Sequence, residues 1–571
     1  MKTYTYDCVV IGSGAAGYNA ACRAKQFGVD VCIVTEGVNL GTSRNTGSDK
    51  QTYYKLGLGG SEPDSVTQMA KNLFDGGSVD GDNALCEAAL SVRCFMNLCE
   101  LGVEFPTNRY GEYVGYKTDH DPYARATSAG PLTSKMMTEA LQRKTEELKI
   151  ETFDGYRAVK ILKKGSAVCG LLCIKNGEYA AFRCRDIIMA TGGPAGIYAD
   201  SVYPECHRGA SGLAVLAGAK MQNLSLWQYG LASVCPRWNV SGTYMQVLPR
   251  FVSVDGDGVE HDFLFEHFKD KYECLSLVFL KGYQWPFDPK KAESGSSQID
   301  LLVYAECVEK KRRVYLDYTK NPINIDFSKL SKEAYSYLEK AGALFGTPIE
   351  RLDKMNRPAI ELYKSKGVDL SKEYLEIALC AQHNNGGVAV DAWWQSSVKG
   401  LFAVGECAGT HGISRPGGSA LNAGQVGSLR AAQYVSKYPG ELVSECEFEE
   451  LISDYSKPID GDCKAEILSA RRRMSDCAAA VRDAKKIKEL LSLTLEELKK
   501  ASDPELIDVL ATQGAVLTAM ANYSSDQGKV QEIIWDGNGF DVSLRPVRPI
   551  PEDDNFFENV WRGYRENGNV F

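Results

Sequence analysis

The sequence predicts an α/β protein. Its core is a parallel sheet carried by two separated segments, with an α+β domain inserted between them and a helical domain at the C-terminal end. Three observations lead there. The stretch from Met1 to Leu40 reads as strand, glycine-rich turn, helix and strand. A further apolar strand ends in the small residues Ala190-Thr191-Gly192-Gly193. After Cys380 the texture of the N-terminal domain returns, with an apolar strand ending in Gly405-Glu406.

The elements follow in chain order. Tyr6-Asp7-Cys8-Val9-Val10-Ile11 is an apolar, β-branched run, the pattern of a strand buried on both faces. Gly12-Ser13-Gly14-Ala15-Ala16-Gly17 comes next, with the spacing G-x-G-x-x-G. Ala16 to Phe27 has alanine-rich helical spacing and stops at Gly28; Val29 to Val34 is a second strand, and Glu36 follows it. This is the fingerprint of a Rossmann-like dinucleotide site. Gly12 makes the tight turn, Gly14 lets the backbone approach a pyrophosphate, and Gly17 lets helix and strand pack closely. The helix N-terminus faces the phosphates, and Glu36 stands where a ribose-binding carboxylate belongs.

Gly41-Thr42-Ser43-Arg44-Asn45-Thr46-Gly47-Ser48 is small and polar, as a loop lying against a ligand would be; a plain surface loop reads the same way. Met69 to Cys99 reads as one helical stretch and Leu132 to Leu148 as another. Short alternating strands from Glu151 to Ile188, with turns at Lys164-Gly165 and Asn176-Gly177, predict a β-meander. Small residues at the end of the strand Asp186 to Met189 allow a second close backbone approach to a cofactor. A small-residue helix is expected from Leu213 to Gly218, a strand at Arg313 to Tyr318, and a helix from Ser419 to Val435. Beyond Tyr438 the chain is polar and helical, and the proline- and acid-bearing tail after Pro546 is expected to wrap the surface. The expected divisions are 1–222 and 380–440 for the two segments of the cofactor domain, 223–379 for the inserted domain, and 441–571 for the C-terminal domain.

A chain of 571 residues exceeds one compact core, and its 24% charged and 44% hydrophobic composition is ordinary for a globular protein. The net charge of −9 argues against a nucleic-acid-binding surface. The 18 Cys include no C-x-x-C pair, so neither an iron–sulfur cluster nor a zinc ribbon is expected on this chain. Most lie in apolar elements, as buried thiols in a reducing compartment would. The chain starts almost directly on a core strand, so no signal peptide, twin-arginine leader or carrier domain is expected, and no apolar run is long enough to span a membrane. A cytoplasmic protein without direct membrane insertion is the expectation.

The first fingerprint, Ala190-Thr191-Gly192-Gly193, His383-x-x-Gly386-Gly387, Gly400-Leu401-Phe402-Ala403-Val404-Gly405-Glu406 and His411-Gly412-x-x-Arg415 occur in that order. Together they resemble the fumarate reductase/succinate dehydrogenase flavoprotein family, which also contains L-aspartate oxidase and the adenylylsulfate reductase flavoprotein. The resemblance implies bound FAD, with a capping domain inserted between the two segments that hold it. It implies that Gly12, Gly14, Ala15, Ala16 and Gly17 hold the pyrophosphate and that Glu36, beside Gly37, takes the adenosine ribose. Ser43, Arg44, Asn45, Thr46 and Gly47 would lie along the flavin. Ala190, Thr191 and Gly192 would support the adenine side, with Ala158 near them. Glu406, beside Gly405, would meet the ribitol, and Ser419, Ala420 and Leu421 the isoalloxazine edge.

Departures from the family pattern carry their own expectations. Membrane-complex members bond the flavin covalently through a histidine; Asn45 stands at that position and cannot, so FAD is expected to be non-covalent. Tyr229, in Trp227-Gln228-Tyr229-Gly230, stands near the family's substrate-facing histidine. The segment before the Val314-Tyr315-Leu316-Asp317 strand reads Gly295-Ser296-Ser297-Gln298-Ile299-Asp300, without the family's proton-donating arginine.

Two substrate-facing positions of the family remain. His383 would hydrogen-bond a substrate carboxylate or carbonyl, and Arg415 would clamp a carboxylate bidentately. A structural histidine and an ion-paired arginine read the same way. His411 is a loop-packing or a catalytic residue. Tyr229, Arg250 and Tyr283 are candidates for the missing proton donor. The resemblance implies hydride transfer between flavin N5 and a small carboxylate-bearing substrate, foremost the reduction of an activated C=C. Oxidation of the L-aspartate oxidase type, adenylylsulfate-reductase-like chemistry and a catalytically silent flavin-binding subunit are the alternatives. No second G-x-G-x-x-G suggests an NAD(P)H site, so electrons are expected from a separate partner such as an iron–sulfur protein.

Overall fold

Every residue of Cys8–Ile11 is apolar and buried, so this strand (β1) can lie only inside a sheet covered on both faces. The computed structural model describes residues 1–60, 63–207, 209–455 and 462–552 and puts β1 there. The helix α1 (Ala15–Gln26) leads to β2 (Val31–Thr35), and α2 (Thr42–Asn45) is a single turn in the polar loop that follows. The stretch expected as one helix between Met69 and Cys99 is two, Val66–Phe74 and α3 (Gly81–Glu100). Gly76 and Gly77 break it, Gly77 with φ +79°. A side chain on Gly76 would meet the Ser414 carbonyl oxygen at 2.1 Å. The break lets another segment of chain lie against it: Ile413 N–H donates to Gly77 O (2.9 Å) and Ser414 N–H to Gly76 O (3.0 Å).

Three more strands complete the parallel sheet: β3 (Glu151–Asp154), β4 (Asp186–Met189) and β5 (Leu401–Ala403), in the spatial order β5-β4-β1-β2-β3. Every neighbouring pair is parallel, with Val9 opposite Cys32 and Ile187, and Ile187 opposite Leu401. Thus β5, more than two hundred residues after β4, returns to the same sheet. The helix α4 (Ser419–Lys437) packs along α1; Ser428 Oγ donates to Ala16 O (2.8 Å) and Gln425 Nε2 to Ala15 O (3.2 Å). The expected meander is narrower than Glu151 to Ile188. Its strands are Arg157–Lys164, Ala167–Lys175 and Glu178–Arg183, with Lys2–Thr5 added at one edge. The flanking strands β3 and β4 belong to the parallel sheet because their apolar residues are buried on it.

Residues 223–379 contribute most of a six-stranded antiparallel sheet and the helices packed on it. One strand, Leu375–Asn384, runs through the expected division at 379/380 and carries His383 into the cofactor domain. It pairs with Trp227–Ser233, Gln228 opposite His383, with a register shift between Gln228 and Tyr229. The insert is tied down at the polar loop. The Asp49 carboxylate accepts from Thr243 N–H (2.9 Å), and Trp238 packs on Gly47 so closely that a Cβ there would lie 2.5 Å from the ring.

The C-terminal segment, expected to be helical, holds helices, among them Lys464–Cys477 and Pro504–Ala521, but also a hairpin, Lys529–Trp535 with Phe540–Pro546. The hairpin pairs with Met221–Gln222, and Arg545 and Arg548 bind Asp80 at the start of α3. The alternation of Phe540, Val542 and Leu544 is a strand period; the charged and polar residues of the same stretch hide it. Of the expected tail, residues 553–571 lie outside the described residues.

Candidate active site

The turn between β1 and α1 is built by exclusion of side chains. Gly12 has φ +107°, and a Cβ on it would sit 2.5 Å from Ala190 O; one on Gly17 would sit 2.0 Å from Gly12 O. The α1 N-terminus has no side-chain cap and no acid in its first turn, which leaves its positive end open to an anion. Ser43 Oγ accepts from Ala15 N–H (3.3 Å). A groove runs from this turn, lined by Gly12, Gly14, Glu36, Gly37, Ser43 and Ala158, and by Ala190, Thr191 and Gly192 at the end of β4. The Glu36 carboxylate lies at one end, 3.5 Å from Arg157 Nε. A bare helix start, a backbone cradle that a Cβ would fill and a carboxylate one strand away fit a dinucleotide.

His207 also lines the groove and was not expected from the sequence. Its Nε2–H donates to Gly193 O (2.8 Å) and its Nδ1 accepts from the Thr42 hydroxyl (2.9 Å), which sets the tautomer. Burial lowers its pKa to about 4, so the ring stays neutral.

The rest of the polar loop points elsewhere. Arg44 reaches Gln142 (2.6 Å) and Glu139, Asn45 Nδ2 donates to Asn39 O and Gly41 O, and Thr46 Oγ1 donates to Val202 O. Gly405, with φ +72°, lies against Ala16, where a Cβ would approach the Ala16 methyl to 3.0 Å.

At the other end, elements from both parts of the chain meet in a buried polar cluster. The strand Leu375–Asn384 brings His383; the segment held by Gly76 and Gly77 brings His411 and Arg415. The rings of His383 and His411 stack, centroids 5.1 Å apart and planes 12° from parallel. His383 Nδ1–H donates to Asn385 Oδ1 (3.1 Å), and His383 Nε2 lies 3.7 Å from Glu406 Oε1. Glu406 also takes the Asn384 N–H (3.1 Å) and the Tyr203 hydroxyl. Arg415 Nη2–H donates to Gln228 Oε1 (2.9 Å). Ser419 and Glu87 line the same small cavity as His411 and Arg415. Ala420 and Leu421 sit in the first turn of α4 beside it.

The electrostatics are those of a dry site. Burial pushes both imidazoles well below their ordinary pKa, helped by the Arg415 charge. It raises the carboxyls of Glu406 and Glu87 to about 8 and lowers Arg415 to about 10. Buried atoms without a hydrogen-bond partner among the described residues gather here: His383 Nε2, His411 Nε2, Arg415 Nε, Glu87 Oε1 and Ser419 Oγ. Such a concentration of unmet donors and acceptors marks a ligand site.

Three of the expected donors do not reach it. The Tyr229 hydroxyl lies 3.3 Å from Tyr198 and 3.5 Å from Ala478 O. The register shift beside it leaves Gln228, not Tyr229, on Arg415. Arg250 is held by Asp262 (2.8 Å) and Glu260 (3.0 Å), on a strand separated from Leu375–Asn384 by Arg313–Asp317. Tyr283 is half-exposed and bonded to Glu333. Within this cluster, Gln228 and Glu87 were not expected from the sequence. For Glu87 there was a signal: an acid alone among Leu85, Cys86, Ala88 and Leu90 inside a helix.

Residues 7–421 match the FAD binding domain family. The chain is 26% identical over 456 residues to a subunit of the fumarate reductase (CoM/CoB) of Methanothermobacter marburgensis, covering 76% of this chain and 74% of that one. It is 23% identical to the L-aspartate oxidase of Mesorhizobium japonicum, covering 95% and 93% of the two chains. In fold it is similar to Mycobacterium smegmatis Sdh1 in complex with UQ1 (TM-score 0.70, 18% identity, 99% and 98% covered). It is similar also to a singly substituted form of E. coli quinol fumarate reductase FrdA (TM-score 0.66, 18% identity, 97% and 98% covered). Among the described residues no helix is long and apolar enough to cross a membrane, and no group of three or more His, Cys, Asp or Glu could hold a metal ion. The chain belongs to the FAD binding domain family and is an FAD-dependent oxidoreductase of the fumarate reductase/succinate dehydrogenase flavoprotein type.

Proposed function

We propose that this protein reduces an activated C=C in a small carboxylate-bearing substrate. The observation that carries the reading is the Arg415 guanidinium: part-buried with its Nε fully covered, hydrogen-bonded to Gln228 through one nitrogen, with Nε unmatched beside two neutral imidazoles. A desolvated cation with a free donor edge is a carboxylate site. When bound, FAD supplies or accepts the hydride. The chain's own residues do the rest. Arg415 clamps the carboxylate, His383 and Gln228 fix its orientation, and the insert 223–379 roofs the site and excludes water. Gly12, Gly14 and Gly17 with the α1 N-terminus would hold the pyrophosphate, Glu36 the adenosine ribose, and Glu406 the ribitol side, without a covalent bond at Asn45.

The test is anaerobic. The bound flavin is reduced chemically and unsaturated acids are added one at a time. Reoxidation by a short unsaturated carboxylate supports the reading; a flavin that none of them reoxidises or perturbs overturns it. L-aspartate oxidation is the second reading, favoured by the alignment to the Mesorhizobium japonicum enzyme over 95% of the chain. Hydrogen peroxide formed from an amino acid selects it. Electrons come from a separate redox protein, a reading supported by the name of the Methanothermobacter marburgensis relative, which is one subunit of a larger enzyme. Rapid oxidation of NADH by the protein alone would contradict that. All 18 cysteines are free thiols, which supports a reducing compartment such as the cytoplasm.

A further inference from the structure

The segment that should bring a proton-donating arginine lacks it, and neither Tyr229 nor Arg250 faces the cluster. Reduction of a C=C needs a proton as well as a hydride. A different line of groups leads into the site. Glu87 lies inside α3 with 3% of its surface exposed. Its carboxyl lies beside the Thr410 side chain in one cavity, and its Oε1 has no partner among the described residues. Thr410 Oγ1 is 3.2 Å from His411 Nδ1. His411 Nε2, on the far side of the ring, has no partner among the described residues, and the ring lies on His383. Glu87, Thr410, His411, Arg415 and Ser419 line one cavity.

We propose that Glu87 is the proton reservoir of the reaction, acting through the Thr410 hydroxyl on His411, whose Nε2–H faces the substrate. The proposal rests on the reading that the substrate is an unsaturated acid. Thr410 donates its hydroxyl proton to His411 Nδ1, so the proton of the neutral ring sits on Nε2. As the substrate carbon takes that proton, the N–H bond breaks and a C–H bond forms. The Thr410 proton moves to Nδ1, and the Glu87 carboxyl proton replaces it on Thr410. The other carbon receives the hydride from the bound FAD. Glu87 is left as a carboxylate, and solvent returns its proton; exchange on the imidazole restores the Nε2–H form before the next turnover. Glu87 acts through Thr410 and His411, so it is a positioning and relay residue, and His411 is the catalytic one.

Geometry and charge agree. Burial raises the Glu87 carboxyl to about 8, so it holds its proton at neutral pH. The groups facing it are Arg415 and His411 from the segment after β5, Ser419 from α4, and the apolar Leu73 and Val79 from the side of Val66–Phe74. Beyond Arg415 stand Glu406 and His383. Arg415, the cation among these groups, keeps the carboxylate tolerable after the proton has left.

The test uses FAD-loaded wild type, Glu87→Gln and Thr410→Val. Three quantities are read: the rate of flavin reoxidation by a saturating unsaturated acid against pH, the equilibrium binding of that acid to the oxidised protein, and the infrared C=O band of a protonated carboxylic acid. In wild type the rate falls tenfold per pH unit above about 8. In both variants it falls by ~10²-fold or more and loses that pH dependence, while acid binding stays within about twofold. Glu87 and Glu406 both hold a proton at pH 7; the Glu87 component of the band is lost in Glu87→Gln and remains in Thr410→Val, while the Glu406 component is present in all three proteins. Variants with wild-type rates and pH profiles overturn the relay, as does a loss of acid binding equal to the loss of rate. If no acid reoxidises the wild type, the substrate reading fails; the relay is then tested with a saturated acid as reductant, where the rate must rise above pH 8 in wild type and stay flat in Glu87→Gln.

Discussion

His411 lies flat on His383, with ring centroids 5.1 Å apart and planes 12° from parallel. Two imidazoles so placed, with Arg415 beside both, cannot share a positive charge, and both are held well below the ordinary histidine pKa. The positive charge that a carboxylate meets in this site is therefore that of Arg415. Binding of a non-reactive dicarboxylate, read from the flavin spectrum, is expected to vary less than about threefold from pH 5.5 to 7.5. A tenfold loss across the ordinary histidine range would show that a protonated imidazole does the holding.

Arg415→Lys tests the clamp. Lysine keeps the charge but loses the planar pair of donors, one of which binds Gln228. Dicarboxylate binding is expected to weaken by about 10- to 100-fold, the worth of one or two charge-assisted hydrogen bonds. The FAD content and flavin spectrum of the free protein should be unchanged. Equal binding in wild type and variant would place the carboxylate elsewhere.

Glu87 and Glu406 give a stability signature. Each carboxyl is raised from 4.5 to about 8 in the folded protein. The folded state then binds more protons than the unfolded one between those values. The stability each group contributes is complete below about 4.5 and is lost as pH rises through about 8. Glu87→Gln removes that loss, so the variant should gain on wild type by about 1–3 kcal/mol at pH 9 relative to pH 5.5. The measurement is thermal unfolding of the FAD-free proteins, and a difference independent of pH would refute it.

Asn45 cannot bond to a flavin carbon, and its amide is spent on the backbone oxygens of Asn39 and Gly41. Acid precipitation should leave yellow FAD in the supernatant. Fluorescence that stays with the denatured chain on a gel would rule out non-covalent binding.

Tyr229→Phe and Arg250→Ala are expected to keep turnover within about twofold, since neither side chain enters the cluster. Arg250→Ala should still lower stability, by about 1–3 kcal/mol, because Asp317 is buried beside it and loses a partner. A large loss of turnover without loss of stability in either variant would return it to the candidate donors.

The cofactor half of the site was legible in the sequence because it is local. Gly17 is dictated by a close approach within one turn, Gly12 by its φ of +107° in that same turn, and Glu36 follows one strand later; a backbone that must pass 2.0 Å from where a Cβ would stand writes glycine at a fixed spacing. His383 and Arg415 were legible as residues of a family pattern, though not as neighbours. The helix break at Gly76 was missed, although it is what seats the segment bearing Arg415. Tyr229 stood out in the sequence and Gln228 did not, because one register shift between them reverses which side chain faces the site, and no residue pattern announces such a shift.

The order of residues was enough to specify a parallel sheet, a dinucleotide cradle and the chemistry of the bound group, since each depends on periodicity and on contacts between near neighbours in the chain. Which groups meet in one desolvated cluster is another matter. Glu87, Gln228, His383 and Arg415 come from four separate parts of the chain, and their charges depend on distances and burial that exist only once sheet, insert and helices have packed.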